Sequence, residues 1–564
     1  MKSFLFCAAL MMPGALCGQV SPEIVITEIF ADPSPPVGLP DAEFVEVMNR
    51  GTVPVNLSGW TIYEGSSRTF PAMTLLPGEF LIICANSDTA LFSPYGKVAG
   101  VSSFSLTNSG EKIAIRNSLG QAVDSLFYSD EWFGNSFKKD GGWSLERIDA
   151  DFTCHDDDNW MPAVNLSGGT PGSLNSVAAT FTDLTPPVLW RAYCPDSLSV
   201  MLVFSEPVDP NGVGDVQNYS LSGGLQIQQP GFWDASNTRI LLLLSTPVQP
   251  QQVYSVKVKN LTDCAGNEAI HPMPVLFGLP DLDDIRSVVI NEILFDPFSG
   301  GYDFVELFYN GNRIVDLSEL KIASYDYTSG EMKSLQPLTE ESFLMLPGDY
   351  VVLTEQPGIV SLNYRSSFPY GFIAMNTLSS MNVDEGHVAI IHDSSVVDGF
   401  RYSDDLHFEL LNSTDGVSLE KIHPSRISSD PTAWHSCSPS AGFATPGLRN
   451  SVYSDTPGNH REVSVQPEIF SPDNDGFDDL ITFSLSNNKP GTIGNITFYN
   501  TSGQIIYTHR YNQLLASADA FTWNGINDQG SIATPGIYVA VLEVFTLDGK
   551  VDYYKMPFVL ARRE

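Results

Sequence analysis

Much of this chain is written twice. Ile24-Val25-Ile26-Thr27-Glu28-Ile29-Phe30 returns as Val288-Val289-Ile290-Asn291-Glu292-Ile293-Leu294, and Glu43-Phe44-Val45-Glu46-Val47 as Asp303-Phe304-Val305-Glu306-Leu307. Val55-Asn56-Leu57-Ser58 and Leu76-Pro77-Gly78-Glu79-Phe80 come back as Val315-Asp316-Leu317-Ser318 and Leu346-Pro347-Gly348-Asp349-Tyr350. Val123-Asp124-Ser125 has its partner in Val397-Asp398-Gly399, Ser144-Leu145-Glu146-Arg147-Ile148 in Ser418-Leu419-Glu420-Lys421-Ile422, and Thr170-Pro171-Gly172 in Thr445-Pro446-Gly447. The spacing between partners drifts from 264 residues at Glu28 to 275 at Pro171, so insertions fall between the matched pieces. Short Val-, Ile- and Phe-rich pieces bounded by Pro-Gly and Asn-Ser-Gly turns, with tolerant gaps between them, predict strands of a β-sandwich joined by loops.

A chain of 564 residues has room for about four domains on a rough prior of 150 residues each, and the duplication occupies two. Between the copies, Thr185-Pro186-Pro187 opens a third β-rich stretch, in which Leu198 to Phe204 and Arg239 to Leu244 are largely apolar runs of strand length. A Ser/Pro/Gly/Asn-rich linker near Tyr453 to His460 precedes a last unit. The expectation is an all-β protein of tandem Ig-like sandwiches: a signal segment at 1–18, sandwiches at 22–178, 179–281 and 285–452, a linker at 453–466, and a terminal sandwich at 467–564.

Both copies resemble the lamin tail domain, an Ig-like sandwich. The resemblance rests on the Thr/Asn-Glu-Ile strand, the Phe-Val-Glu strand, the Leu57-Ser58-Gly59-Trp60 corner, the Leu-Pro-Gly turn and Ser109-Gly110-Glu111-Lys112. The second copy departs from it at Ser318-Glu319-Leu320, where Gly-Trp is missing. Residues 185–267, with Phe204-Ser205-Glu206-Pro207-Val208 and Asp263-Cys264-Ala265-Gly266-Asn267, resemble bacterial Ig-like modules used as spacers in surface proteins. The last unit carries Phe470-Ser471-Pro472-Asp473-Asn474-Asp475-Gly476, Trp523-Asn524-Gly525 and Pro535-Gly536-Ile537-Tyr538. It is similar to the C-terminal domain of exported proteins in gliding bacteria, which implies type IX-like secretion machinery as a partner and a sorting role for the C-terminus.

Export is also what the N-terminus suggests. Met1-Lys2-Ser3 followed by the apolar stretch Phe4 to Leu16, and then Cys17-Gly18, has the layout of a cleavable secretory signal. Leu16 stands where a lipoprotein signal wants a small residue, which argues against a lipid anchor at Cys17. No later segment approaches the roughly 20 apolar residues of a membrane helix. In an oxidising compartment, Cys194 and Cys264, at the two ends of the third stretch, are the expected disulfide pair, and Cys84 the expected buried thiol. With 29 Lys and Arg against 66 Asp and Glu, the net charge is −37. Such a chain repels phosphate backbones, so no nucleic-acid partner is expected.

Catalytic patterns are missing: there is no His-Glu-Xaa-Xaa-His, no Gly-Xaa-Ser-Xaa-Gly elbow and no phosphate loop with Lys. Glu28 and Glu46, recurring as Glu292 and Glu306, are paired carboxylates of the kind used in acid–base chemistry, but their recurrence in both copies points instead to a rule of the fold, with each holding a loop through backbone hydrogen bonds. His155 with Asp156, Asp157 and Asp158 reads as a solvated turn rather than a metal site. Asp473, Asp475, Asp478 and Asp479 are candidate Ca²⁺ ligands, since a hard cation wants several oxygens on a loop that can curl. Phe477 replaces the fifth-position ligand and Ser484 the closing Glu, and a plain turn is the competing reading. Trp132 and Trp143 could form a carbohydrate platform, but corner packing explains them as well.

The expected function is that of a non-catalytic, secreted or cell-surface protein of adhesive, matrix or structural kind, meeting an unidentified protein or polysaccharide ligand. The alternative is an accessory polymer-binding component of an extracellular hydrolase system, or an unrecognised hydrolase. Exported lamin-tail-like domains accompany nucleases and other hydrolases, yet β modules and linkers account for the whole length here.

Overall fold

The computed structural model describes residues 23–562 apart from 135, 153, 155–156, 234–235, 272–273, 327–330, 379–380, 410, 412, 455–460, 474–475, 488–490 and 547–548. The proposed signal segment therefore lies outside the described residues. The chain is all-β, and its buried side chains gather into four main cores, spanning residues 24–160, 189–277, 285–434 and 470–560.

The two copies share one topology. In the first, a six-stranded sheet runs Trp160–Pro162, Leu145–Arg147, Ile24–Phe30, Phe44–Asn49, Phe80–Ala85, Val98–Val101 and faces a four-stranded sheet of Ala122–Ser129, Gly110–Arg116, Thr61–Glu64 and Ser66–Thr69. In the second, the six-stranded order is Trp434–Ser436, Leu419–Lys421, Val288–Leu294, Phe304–Tyr309, Tyr350–Thr354, Phe372–Ala374, opposite Ser395–Ser403, Glu385–His392, Leu320–Asp326 and Glu331–Pro337. The Gly-Trp that the second copy lacks is replaced by a 3-10 turn, Leu317–Glu319, capped by Asp316, after which the fully buried Leu320 takes the position of Trp60.

Every residue of Ile24–Phe30 is buried. A strand alternates its side chains between two faces, so burial of all seven means that both faces of the sheet are covered. Ile24, Ile26 and Ile29 face the sandwich core. On the other face Phe30, Phe44, Ile82 and Cys84 pack with Leu39 and Phe92, and the segment 163–178 is strapped over the rest. The central strand is also bulged in each copy, the register slipping between Ile26 and Glu28 and between Ile290 and Glu292.

The intervening unit pairs Leu189–Asp196, Ser199–Phe204, Arg239–Leu244 and Ile227–Phe232 in one sheet and Tyr219–Leu221, Tyr254–Val258 and Val275–Phe277 in the other. The terminal unit sets Arg461–Gln466, Ile481–Asn487 and Ala518–Trp523 against a five-stranded sheet. Phe483, Phe498, Trp523 and Phe558 fill its core, with Phe498 and Trp523 rings 4.9 Å apart.

Successive units are fastened to one another. Arg191 and Arg239 of the intervening unit both reach Glu341 of the second copy, at 3.1 and 2.5 Å, and Arg191 also donates to the Ser342 carbonyl. Leu344 packs against the intervening unit's core. At the last joint the Ser517 amide donates to the Ser451 carbonyl at 2.7 Å. The first joint carries the disulfide, and here the sequence expectation is corrected: Cys264 bonds to Cys154 of the first copy, not to Cys194. Cys194 points into its own sandwich core, 8% exposed, whereas Cys264 sits on an exposed turn, so the two cannot meet. Cys84, Cys194 and Cys437 are buried thiols. Non-reducing peptide mapping should return one cross-linked peptide joining Cys154 to Cys264, with Cys84, Cys194 and Cys437 recovered as thiols only after denaturation.

Candidate functional site

The outer face of each six-stranded sheet holds three carboxylates. Glu28 lies directly across from Glu46 on one neighbouring strand and from Glu146 on the other; Glu292 stands in the same relation to Glu306 and Glu420. All six are 0% exposed. The pairs Glu28/Glu46 and Glu292/Glu306 are visible in the sequence. The third member of each trio is not singled out there, although it sits inside the matched Ser-Leu-Glu pieces.

What surrounds them is a strap. In the first copy the Thr170 amide donates to Glu28 at 2.8 Å, the Gly172 amide to Glu46 at 2.5 Å and the Val177 amide to Glu146 at 3.1 Å. Hydroxyls complete the set: Ser144 donates to Glu28, Thr27 to Glu46, and Thr170 and Ser176 to Glu146. In the second copy the amides of Thr445, Gly447 and Val452 serve Glu292, Glu306 and Glu420 in turn, with Ser418 on Glu292, the Asn291 amide group on Glu306, and Thr445 and Ser451 on Glu420. Gly172 has φ +78, and a Cβ there would stand 2.0 Å from the Tyr95 carbonyl oxygen, which is why the strap turns on glycine.

The strap carries one more duplicated residue that the sequence reading passes over. Thr170-Pro171-Gly172 continues to Asn175-Ser176-Val177, and Thr445-Pro446-Gly447 to Asn450-Ser451-Val452. Asn175 donates to the carbonyls of Thr27 and Arg147, and Asn450 to those of Asn291 and Lys421. Residues 27 and 291 are the bulged positions, where the ladder leaves backbone groups to be satisfied from elsewhere. On the core side, Asp124 and Asp398 accept from the freed Ile26 and Ile290 amides at 2.8 Å. Arg147 pairs with Asp124 at 3.3 Å. Lys421 reaches Asp398 at 3.9 Å and donates to Ser428, which in turn donates to Asp398. Burial lowers Lys421 to about 8 against the pull of Asp398.

Three negative charges on a dry sheet face are costly, and the trios respond by holding protons. Burial raises Glu28 well above the ordinary carboxylate range, the neighbouring Glu46 adds to this, and the Ser144 and Thr170 hydrogen bonds oppose it. Burial raises Glu46 to about 8 despite the Gly172 and Thr27 donors. In the second copy burial and the charge of Glu420 raise Glu292 to about 8, while burial and Glu292 raise Glu306 well above its usual value. The geometry agrees. Thr445 Oγ1 lies 2.9 Å from Glu292 Oε2 and 2.7 Å from Glu420 Oε1, but a hydroxyl has one proton to give. A proton on Glu292 donated to Thr445, and the Thr445 proton donated to Glu420, completes the chain. The first copy is less complete: Glu28 Oε2 and Asn175 Oδ1 are buried with no hydrogen-bond partner among the described residues. Asn450 Oδ1, by contrast, accepts from Asn291, which stands where the first copy has Thr27.

The other candidate residues separate into distinct places. Among the described residues, the Asp473, Asp478 and Asp479 carboxylates are not gathered into a cation-sized group; Asp479 accepts from the Gly476 amide at 2.8 Å as a turn. Asp475, His155 and Asp156 lie outside the described residues. Asp157 and Asp158 are exposed on a 3-10 turn. The carboxylate oxygens that do come within 4.8 Å of one another belong to Asp183, Glu206 and Asp263, beside the first joint. Asp263 is engaged by the amides of Gly266 and Asn267, and burial raises Asp183, with the Asp263 charge adding to it. Trp132 stacks on the buried Trp160 at 5.9 Å and Trp143 is 8% exposed beneath Lys138, so both pack corners and neither offers a platform.

A family profile described as the Lamin Tail Domain matches residues 18–130, one copy of the duplicated unit. No curated protein matches the chain. Among solved structures, the N-terminal part of the bacterial S-layer protein SbsC is similar at 16% identity over 29% of this chain and 45% of that one, with a TM-score of 0.16. A DUF4876 family protein from Bacteroides thetaiotaomicron is similar at 13% identity over 36% and 84%, with a TM-score of 0.18. A Ca²⁺-stabilized adhesin of an Antarctic bacterium is similar at 8% identity over 96% and 100%, with a TM-score of 0.13. The chain spans about half the length of the S-layer structures it matches. TM-scores this low describe no shared global arrangement.

The trios fix a direction of pH dependence. Carboxyls whose folded pKa is raised give stability that is fully present below about 4.5, the unfolded value, and is lost as pH rises through about 8. Denaturant midpoints should therefore fall between pH 5 and 9, by about 1.4 kcal/mol per pH unit for each retained proton. Glu28→Gln should flatten that slope and raise the pH 9 midpoint. Glu28→Ala should lower stability at every pH by about 1–3 kcal/mol for each buried donor left unpaired.

Proposed function

We propose that this is a non-catalytic, exported surface or secreted protein, an array of sandwiches that acts as a spacer or matrix element and presents loops to a protein or polysaccharide ligand. The observation that carries the reading is the use made of the trios. Every one of the six carboxylates is closed to solvent and occupied by its own strap, so the residues best suited by type to acid–base chemistry cannot reach a substrate. The fastened joints favour a stiff array over four independent binding heads. A disulfide between surface turns of two units suits an oxidising compartment, and the signal-like N-terminus supports the same location. Among the described residues no helix is long and apolar enough to cross a membrane.

Delivery by type IX-like secretion machinery through residues 467–564 is part of this proposal, and its support is the run of landmarks from Phe470 to Tyr538. Deleting residues 467–564 in the native host should trap the remaining chain inside the envelope, detected by surface protease shaving and immunoblotting. Unchanged surface delivery would remove the sorting role. Turnover by the purified chain of any polysaccharide, nuclease or peptidase substrate, whether or not a trio variant abolishes it, would replace the spacer reading with a hydrolytic one.

A further inference from the structure

The three joints are fastened by different means. The second is held by the Arg191 and Arg239 clamp on Glu341 and the third by backbone pairing, as described above. At the first, the linker is tied to each side but little holds its middle. The Ala179 amide donates to the Ile148 carbonyl and the Phe181 amide to Asp149, with the Phe181 ring 4.9 Å from that of Phe152, so the linker stays with the first copy as far as residue 181. From Pro187 onward it belongs to the next unit, whose Ile270 amide donates to the Pro187 carbonyl. Between these anchors, Thr182, Leu184 and Thr185 are exposed, Leu184 by 80%. The described bonds to this stretch from beyond come from one turn of the next unit: the Asn267 side chain donates to the Asp183 and Thr185 carbonyls at 3.3 and 3.4 Å and also meets the Asp183 carboxyl, which hydrogen-bonds to that of Asp263.

Across this stretch runs the bond from Cys154, on the loop before Trp160–Pro162, to Cys264, on the exposed turn before Asn267. We propose that the joint between the first copy and the intervening unit is a redox-conditional hinge, fixed while Cys154 and Cys264 are bonded and free to bend at residues 182–186 when they are not. Three acids meet beside it: Asp183 on the linker lies within 4.8 Å of Asp263 and Glu206 of the next unit, and its hydrogen bond to Asp263 rests on a shared proton, so once both carboxyls are ionised like charges favour separation of an untied joint. A dithiol reductant would deliver the two electrons and two protons that convert the disulfide to two thiols, itself closing to a disulfide; a disulfide oxidant reverses the exchange. Cys264 is reachable from solvent, whereas Cys84, Cys194 and Cys437 are buried, and burial pushes Cys84 up to about 11 and Cys194 up to about 12. The pair is thus the one that a surface reagent meets first. The hinge does not depend on the spacer reading; that reading supplies only the place where the bond would close, outside the cytoplasm.

The test uses the full chain in buffer with a chelator, so that no cation bridges the three acids, before and after dithiothreitol and iodoacetamide under native conditions. Among the five cysteines beyond the signal-like segment, alkylation should add to Cys154 and Cys264 alone, by peptide mass. Small-angle scattering should then show a broader distance distribution, and thermolysin should cut within 181–186 at least several-fold faster, with an unchanged far-UV circular dichroism spectrum. Cys154→Ser should behave as the reduced chain without any reagent. Superimposable scattering and unchanged cleavage after both cysteines are alkylated would overturn the hinge, as would finding Cys154 and Cys264 as thiols in the oxidised chain. An unfolded spectrum after alkylation would overturn it too, because the bond would then be holding the fold rather than the joint.

Discussion

A bulge in one strand organises each copy of the duplicated unit. Slipping the register between Ile26 and Glu28 brings Thr27 and Glu28 to bear on the same outer face and frees an amide and a carbonyl from the ladder. Asp124 answers the amide from one side and Asn175 the carbonyl from the other. Because Asn175 belongs to the strap, satisfying the bulge also pulls the strap down over the three carboxylates, whose acceptors then take up the strap's own amides. Sandwich, bulge, trio and strap are one polar network. Removing any member leaves buried groups unpaired, which costs more than the bond itself contributes.

Burying acids is an unusual way to close a sheet. Apolar side chains do cover the adjoining half of the same face, where Phe30, Phe44 and Phe92 pack. A strap, however, is irregular backbone, and its amides need acceptors wherever water is excluded. Carboxyl groups supply several acceptor sites each on short stems, and a retained proton limits the charge they bring. The two copies meet this need with the same acids and nearly the same donors.

The sandwich architecture was legible because strands announce themselves by apolar runs of fixed length and because a repeated sequence names its own structural pieces. Glu28 and Glu46 could be read as loop-holding acids from their recurrence alone. Glu146 and Asn175 were harder: each sits in a different matched piece more than a hundred residues from Glu28, and only the folded register makes them neighbours. The disulfide was misread for a related reason. Pairing Cys194 with Cys264 assumed that a bond stays within its domain, but alternation along Leu189–Asp196 turns Cys194 inward while Cys264 rides an exposed turn. A tie between units leaves no periodic trace in either of them.

The two locks are not equal. Asn291 gives the second copy a side chain that serves both Glu306 and Asn450, whereas Thr27 serves only Glu46 and leaves an Asn175 oxygen unanswered; likewise Thr445 lies against both Glu292 and Glu420, whereas the Thr170 hydroxyl meets Glu146 and leaves the second oxygen of Glu28 unanswered. The Cys154–Cys264 bond closes a loop around the first strap and shields it from tension, but once that bond is reduced an array pulled from its ends yields first where a closure is weakest, so the first copy would give up its strap at lower load than the second. A force–extension trace would read this as two unequal steps, with the early one lengthening the chain while the rest of the array stays folded.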